Sequence, residues 1–220
     1  MFHVEQQDQW KEVLVEGASA LRLQLKAHHL HAFTIYLEQL RKWNRKFNLT
    51  AIRDEKEVVI KHFLDSLACS KALDQTKESP LLDIGSGAGF PGLPLKILHP
   101  RIHLTLIDPS QKKTAFLHHI IGLLDIQQAT VLSERIQDID RMPDYHRKFS
   151  YIVTRALNVT QLFPSIRLLL AERGRLILCR TKPLENLDVH CGLSITKEIL
   201  YELPYRSGRR VLTVLQPSPL

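Results

Sequence analysis

Residues 81–92 read Leu-Leu-Asp-Ile-Gly-Ser-Gly-Ala-Gly-Phe-Pro-Gly, and this stretch decides the fold. A short apolar run leads into a loop with four glycines in eight positions. Glycine lets a backbone approach a ligand closely because it has no Cβ. The next strand-like run ends in Asp108, 23 positions after Gly85, where a carboxylate can accept hydrogen bonds from a ribose diol. The pattern predicts a site for a nucleoside-containing cofactor.

From residue 81 onward, strand-like and helix-like segments alternate. The predicted strands are 81–84, 103–107, 129–132, 149–154 and 175–180, and the predicted helices are 92–99, 110–123, 160–171 and 183–190. Such alternation is typical of a parallel sheet with helices on both faces. Near the end, two strand-like runs at 194–203 and 210–215 are joined by residues 204–209 without a helix, which predicts an antiparallel hairpin. The expected fold class is therefore α/β and Rossmann-like.

The residues before this region have a different texture. Residues 4–78 contain one glycine, Gly17, and their apolar side chains recur every three or four positions, as in amphipathic helices. Asn48-Leu49-Thr50 interrupts the pattern, and Asp54 is the expected N-cap of a further helix. We predict an N-terminal helical extension over 1–78, ending in a polar linker at 74–80, and a cofactor-binding domain over 79–220.

Composition narrows the class of protein. The 220 residues are 44% hydrophobic, and the formal net charge is +7, which favours a polyanionic partner such as nucleic acid. The three cysteines show no Cys-x-x-Cys spacing, so we expect reduced thiols, no disulfide framework and no metal site. The N-terminus lacks the apolar stretch of a signal peptide, and no segment is long and apolar enough for a membrane span. A cytoplasmic, monomeric protein is the expectation.

The glycine loop fits two registers. Read from Gly87, it is Gly-x-Gly-x-x-Gly, which matches the dinucleotide fingerprint of an NAD-dependent oxidoreductase. However, the prolines at 91 and 94 remove backbone N–H groups that a pyrophosphate would need at the helix start. Read from Gly85, the loop suits a cofactor without phosphates, such as S-adenosyl-L-methionine. We take Gly85, Gly87, Gly89 and Asp108 as candidate binding residues, and the oxidoreductase remains the alternative.

Several blocks resemble one known family. They are Lys42-Trp43-Asn44-x-x-Phe47-Asn48-Leu49-Thr50, His62-Phe63-Leu64-Asp65-Ser66, the 83–92 loop, Arg135-Ile136-Gln137-Asp138 and Thr154-Arg155-Ala156. The chain resembles the bacterial ribosomal RNA small subunit methyltransferase G family, also called glucose-inhibited division protein B. The resemblance implies a class I methyltransferase that uses S-adenosyl-L-methionine to methylate N7 of a guanosine in 16S rRNA, free or in the small ribosomal subunit.

The resemblance also implies site residues. Gly85 and Phe90 would line the cofactor loop, Ile136 and Gln137 would flank the adenine, and Arg155 would lie at the mouth of the site. This chain has Gln137 where the family usually has an acid, and Arg180-Thr181 where it often has Lys-Gly. The glutamine amide can still hydrogen-bond adenine, and Arg180 keeps a cation without lysine geometry.

The chemistry implied by the resemblance needs no general base, because guanine N7 already carries a free lone pair. Enzyme action would then consist mainly of proximity and alignment, and we assign no catalytic residue. A non-catalytic RNA-binding module is the remaining alternative, although the intact glycines and Asp108 argue against a degenerate site. Candidate RNA contacts are the cations within residues 41–46, together with Lys112, Lys113, Arg206, Arg209 and Arg210. We expect Trp43 and Phe47 to be core residues.

Overall fold

A seven-stranded mixed sheet forms the centre of the chain. The computed structural model describes residues 2–74, 78–155, 159–184 and 192–218. The strands are β1 Ser79–Ile84, β2 Ile102–Ile107, β3 Ala129–Leu132, β4 Phe149–Arg155, β5 Leu170–Arg180, β6 Leu193–Glu202 and β7 Arg209–Pro217. Their order is β3-β2-β1-β4-β5-β7-β6, with the first five parallel and β7 antiparallel to both neighbours. The predicted α/β fold with an antiparallel C-terminal hairpin is confirmed.

The helices are mostly short, apart from the first two. They are α1 Phe2–Ala20, α2 Ala27–Phe47, α3 Glu55–Val58, α4 Asp65–Ala68, α5 Gly92–Leu98, α6 Gln111–Leu123, α7 Ile136–Ile139 and α8 Phe163–Leu169. A π-helical turn, Val59–Leu64, joins α3 to α4, and a 3-10 turn, Cys69–Ala72, follows α4. Asp54 is the N-cap of α3, since its Oδ1 accepts from the Glu57 amide at 2.9 Å, as predicted. No described helix is long and apolar enough to cross a bilayer.

Two hydrophobic clusters cover the two faces of the sheet. Successive strand side chains point to opposite faces, so Leu81 belongs to one cluster and Leu82 to the other. The larger cluster joins one face to α5, α6 and the buried stripes of α1 and α2, and the smaller one joins the other face to α7 and α8. The larger core therefore contains side chains from both sides of the boundary predicted between residues 78 and 79. The division of the chain into two domains at this boundary remains a prediction.

Several predicted boundaries were wrong. Ser79 and Pro80, assigned to the linker, pair with β2 as the first residues of β1. The helix predicted over 160–171 contains a 3-10 turn and the short α8, because Leu170 already pairs with Phe149 at the start of β5. Residues 183–184 of the helix predicted over 183–190 are not helical, and 185–190 lie outside the described residues. The four-residue helix α7 was missed.

Two cysteines that lie far apart in sequence meet in the core. The Sγ atoms of Cys69 and Cys179 are 3.0 Å apart, and both residues are free and buried. The hydrogen bond between them, together with burial, raises the pKa of the Cys69 thiol. The two cysteines are 110 residues apart in the chain, so no sequence motif predicted their contact. Cys191 lies outside the described residues.

Candidate cofactor and acceptor site

The glycine loop lies at the point where the strand order reverses. Strands β2 and β4 flank β1 on opposite sides, so the connections leave in opposite directions and open a crevice at the carboxyl ends. Gly85, Gly87 and Gly89 all have positive φ, at 70°, 60° and 101°. The amides of Gly85 and Ser86 both donate to the Ile107 carbonyl, at 2.9 and 3.1 Å, which anchors the loop to β2.

Asp108 fastens the loop from the end of β2. Its Oδ2 accepts from the Gly87 amide at 3.0 Å and lies 3.5 Å from Lys113 Nζ, while Oδ1 accepts from the Ser110 amide at 2.9 Å. A carboxylate offers about four lone-pair positions, so these donors leave acceptor capacity toward the crevice. The spacing in the sequence predicted an acid at the cofactor site, and Asp108 contacts the loop directly.

Two loop glycines have different surroundings. A Cβ built on Gly87 would meet nothing closer than 3.9 Å, so this position faces open space. A Cβ built on Gly89 would lie 2.5 Å from the Tyr36 hydroxyl and 2.6 Å from a Leu93 methyl. Gly87 therefore forms the open side of the loop, and Gly89 forms its packed side.

Tyr36 of the N-terminal extension contacts the packed side of the glycine loop. The Tyr36 hydroxyl on α2 donates to the Ala88 carbonyl at 2.5 Å, and its ring stacks on Phe90 at a centroid distance of 5.5 Å. Burial, followed by the nearby Asp83 carboxylate, raises the pKa of the Tyr36 phenol well above its usual value. The helical periodicity of the extension gave no sign that Tyr36 contacts the loop.

The helix after the loop has no free amide for a pyrophosphate. The Gly92 amide donates to Asp83 Oδ2 at 2.7 Å and the Leu93 amide to the Gly89 carbonyl at 2.8 Å, while Pro94 has none. Asp83 is buried, and its Oδ1 has no hydrogen-bond partner among the described residues. Burial raises the pKa of Asp83 to about 7, although the Gly92 amide opposes this. The Asp83 carboxyl group thus already accepts from the first amide of the helix, which a pyrophosphate would need.

Arg155, at the end of β4, is clamped by residues of the N-terminal extension. Its Nη1 donates to the Lys61 carbonyl at 3.0 Å and to Asp65 Oδ2 at 3.3 Å, and its Nη2 lies 3.0 Å from His62 Nδ1. The guanidinium carbon lies 5.4 Å from the Phe90 ring centroid. These contacts fix one orientation of the guanidinium beside the glycine loop. The three resembling blocks around Thr50, His62 and Arg155 therefore converge here.

His62 and Asp65 lie on the π-helical turn and at its end, and both contact Arg155. The Asp65 amide bonds back to the Ile60 carbonyl, an i→i+5 contact of a kind that is frequent at functional sites. His62 stacks on Phe90 at 4.6 Å, and its Nε2 lies 2.8 Å from Thr50 Oγ1. Burial, and then the Arg155 charge, lowers the pKa of His62 to about 3. A neutral imidazole facing the Arg155 donor accepts at Nδ1, so Nε2 carries the hydrogen.

Asp65 also anchors the C-terminal hairpin. The Tyr201 hydroxyl on β6 donates to Asp65 Oδ1 at 2.7 Å, and Arg210 Nε on β7 lies 3.6 Å from the same oxygen. Asp65 is only 5% exposed, so two guanidinium groups share one buried carboxylate. Residues from the extension, β4 and the hairpin are thus joined through a single side chain.

A basic cavity opens beside this clamp. Its volume is about 750 Å³, and it lies at the carboxyl ends of β4 and β5. The charged side chains in its wall are the cations Lys61, Arg155, Arg180, Lys182 and Arg210 and one carboxylate, Asp65. An excess of cations beside a cofactor loop suits a polyanionic acceptor. We call this the acceptor cavity.

The remaining candidate residues have mixed placements. Ile136 and Gln137 are the first two residues of α7, which follows β3; Ile136 is buried and Gln137 is exposed. Of the basic candidates, Arg210 enters the acceptor cavity, Lys113 approaches Asp108, and Lys112, Arg206 and Arg209 are exposed. Trp43 packs on Phe116 as expected, whereas Phe47 is 40% exposed, contrary to its predicted core position. Among the described residues, no group of three metal-ligating side chains occurs.

Asp83 and His62 predict opposite effects of pH on stability. Between about pH 4 and 7 the folded chain keeps a proton on Asp83 that the unfolded chain has released, so this group lowers stability as pH rises. Below about pH 6.5 the unfolded chain protonates His62 and the folded chain does not, so this group lowers stability as pH falls. Each effect is about 1.4 kcal/mol per pH unit at most.

Single variants should therefore separate the two groups. Asp83→Asn is expected to make the free energy of unfolding rise more steeply with pH, and His62→Gln to make it fall with pH. Urea denaturation from about pH 4.5 to 7 measures both. Parallel stability curves for the wild type and both variants would contradict the assignment.

The chain is similar in sequence to proteins that all carry the same description. A family model described as rRNA small subunit methyltransferase G matches residues 29–198. A ribosomal RNA small subunit methyltransferase G from Roseiflexus castenholzii is 45% identical over 144 residues, which cover 66% of this chain and 61% of that protein. The match thus spans about three fifths of the Roseiflexus protein. One from Alkaliphilus oremlandii is 38% identical over 203 residues, covering 89% of this chain and 85% of the relative.

Solved structures agree on the fold. A crystal structure of a predicted O-methyltransferase from Agrobacterium tumefaciens matches with a TM-score of 0.56 at 18% identity, covering 70% of this chain and 81% of that one. At this identity the likeness concerns the class I methyltransferase fold alone.

Proposed function

The chain belongs to the rRNA small subunit methyltransferase G family, and from this premise we propose that it methylates N7 of a guanosine in 16S rRNA. The methyl donor is S-adenosyl-L-methionine. The expected setting is the cytoplasm. We expect the protein to act as a monomer.

One observation carries the proposal. The glycine loop and the acceptor cavity adjoin at Phe90, whose ring is contacted by two residues of the cavity wall, the Arg155 guanidinium at 5.4 Å and the His62 ring at 4.6 Å. A cofactor held by the loop and an anionic substrate held by the cavity would therefore face each other across Arg155. Methyl transfer needs this adjacency, because the reacting atoms must be aligned before the reaction occurs.

The residues around the loop fit the proposed donor. Gly87 leaves open space where any other residue would place a Cβ, and Asp108 keeps acceptor capacity for a ribose diol. The exposed Gln137 amide can hydrogen-bond an adenine, and Ile136 is its buried neighbour in the chain. The helix after the loop offers no free amide, which suits a cofactor without phosphates. When bound, the sulfonium supplies an electrophilic methyl group.

The chain's own contribution is to hold and orient. Guanine N7 carries a lone pair that needs no deprotonation, so no side chain has to remove a proton. His62 remains neutral at physiological pH and supports the Arg155 guanidinium rather than exchanging protons. Arg155 is neutralised in part by Asp65, which limits its repulsion of the positive charge that forms on the methylated base. Arg180 lies in the cavity wall, where it supplies a positive charge as the lysine that is common at this position in the family would.

The proposal is tested by labelled methyl transfer. Small ribosomal subunits and deproteinised 16S rRNA, both from cells that lack this enzyme, are incubated with the protein and methyl-labelled S-adenosyl-L-methionine. We expect label at one guanosine, and reduction followed by aniline cleavage identifies N7. Label on another atom, or none in either substrate, would overturn the proposal.

Calorimetry distinguishes the alternatives. Heat of binding with S-adenosyl-L-methionine and none with NAD is expected, and the reverse would favour an oxidoreductase. A non-catalytic module would bind rRNA without incorporating label.

A further inference from the structure

We propose that a second basic cavity, formed by the end of α2 and the loop after it, binds the single-stranded RNA next to the target guanosine. The inference rests on the proposed function and extends it to a surface outside the acceptor cavity. We call this surface the α2 groove. It would hold flanking nucleotides while the acceptor cavity holds the target.

The α2 groove is a defined cavity with a mixed lining. Its volume is about 320 Å³. Its apolar wall consists of Leu40, Ile52 and Val58, and its cations are Arg41, Lys42, Arg45 and Arg53, with one acid, Glu38. Apolar surface next to cations matches the two parts of a single-stranded nucleic acid, whose bases are flat and apolar and whose phosphates are charged.

Three of the four cations are available to a ligand. Lys42, Arg45 and Arg53 are exposed and have no ion pair among the described residues. Arg41 contacts Glu55, so its charge is partly neutralised. Unpaired cations that line one cavity are the arrangement expected for phosphate contacts, whose affinity comes from counterion release.

The groove is held in shape by a rigid turn. Asn44 is 8% exposed, and its amide group makes two hydrogen bonds of 2.9 Å to the backbone of Thr50, one through each of its polar atoms. Asn48, at the end of α2, has the left-handed conformation that turns the chain back. A preformed groove orders fewer groups on binding, which lowers the entropic cost of capturing a flexible strand.

The α2 groove adjoins the acceptor cavity. Ile52 lines both cavities, and Thr50 of the groove contacts His62 of the acceptor cavity at 2.8 Å. An RNA strand held in both cavities would run between the cations of the groove and those of the acceptor cavity. This adjacency, with the excess of cations in both cavities, favours RNA over an acidic protein segment as the occupant.

The test compares two double variants with equal loss of charge. Arg45→Gln with Arg53→Gln removes two groove cations. Lys148→Gln with Arg173→Gln removes two exposed cations at the amino-terminal ends of β4 and β5, opposite the site. Binding of a fluorescent single-stranded oligoribonucleotide is measured by anisotropy across a salt series, and KM is measured with small ribosomal subunits.

The groove variant should weaken oligoribonucleotide binding and raise KM by about tenfold, with a much smaller change in kcat. Its slope of log affinity against log salt should shrink by roughly one to two, about one per lost phosphate contact. Affinity for S-adenosyl-L-methionine should not change. The control variant should match the wild type.

Three results would overturn the inference. The groove variant could bind as the wild type does, or the control variant could lose as much affinity. An effect seen with ribosomal subunits but not with the oligoribonucleotide would indicate a protein contact instead. Failure of the proposed function is distinguishable, because the wild type would then incorporate no methyl label into rRNA.

Discussion

Replacing Asp65 with alanine is expected to lower the free energy of unfolding by about 3 kcal/mol, the cost of breaking a buried ion pair. The variant leaves Arg155 and Arg210 without their carboxylate and Tyr201 without its acceptor. Methyl transfer should fall about a hundredfold, because a displaced guanidinium disturbs alignment at the reacting centre. Chemical denaturation and steady-state kinetics measure the two losses.

Two further variants show which contacts of Asp65 matter for turnover and which for stability. Asp65→Asn preserves the shape of the side chain and should fold, yet still lose turnover because it cannot pair with the guanidinium. Tyr201→Phe removes only the 2.7 Å hydrogen bond, so it should cost about 1 kcal/mol and leave kcat near the wild-type value. If folded Asp65→Asn protein keeps full kcat and KM, Asp65 is not a positioning residue.

Gly87→Ala is expected to lose cofactor binding while staying folded. The new methyl group would enter open space, so the cost to folding is about 1 kcal/mol for an alanine at a φ of +60°. That space is the ligand side of the loop, and we expect affinity for S-adenosyl-L-methionine to fall about a hundredfold, roughly 2.7 kcal/mol. Calorimetry and thermal denaturation on the same protein measure both.

Gly89→Ala should show the opposite pattern. Its Cβ would lie 2.5 Å from the Tyr36 hydroxyl and 2.6 Å from a Leu93 methyl, so packing must shift and stability should fall by about 3 kcal/mol. Gly122→Ala is the matched control, because nothing lies within 4 Å and helix α6 favours alanine. Stable Gly89→Ala protein together with full cofactor affinity in Gly87→Ala would show that the two sides of the loop are assigned wrongly.

Much of the fold was predictable because local patterns carried it. Alternating apolar runs identified β1 to β5, and the missing helix between the last two runs identified the hairpin. Boundaries were less predictable, since strand pairing decides them. Leu170 lies in a helical pattern, but its pairing with Phe149 ends the helix.

Part of the candidate site was likewise predictable from the sequence, and part was not. The spacing of Gly85 and Asp108 predicted a loop beside an acid, and the 3.0 Å contact of Asp108 with the Gly87 amide agrees with that reading. Sequence gave no sign that Tyr36 supports the loop or that Asp65 joins Arg155 to Tyr201. These contacts join residues 52 and 136 positions apart in the chain.

The sequence by itself determined the succession of strands and helices from residue 81 onward, the glycine loop and the basic character of the chain, because those depend on neighbouring residues and on composition. Only the tertiary structure decided that the N-terminal helices belong to the site. Burial of their apolar stripes against the sheet brings His62 and Asp65 to Arg155, and a π-helical turn sets both toward it. Such convergence depends on packing over long separations, for which a linear pattern carries no signal.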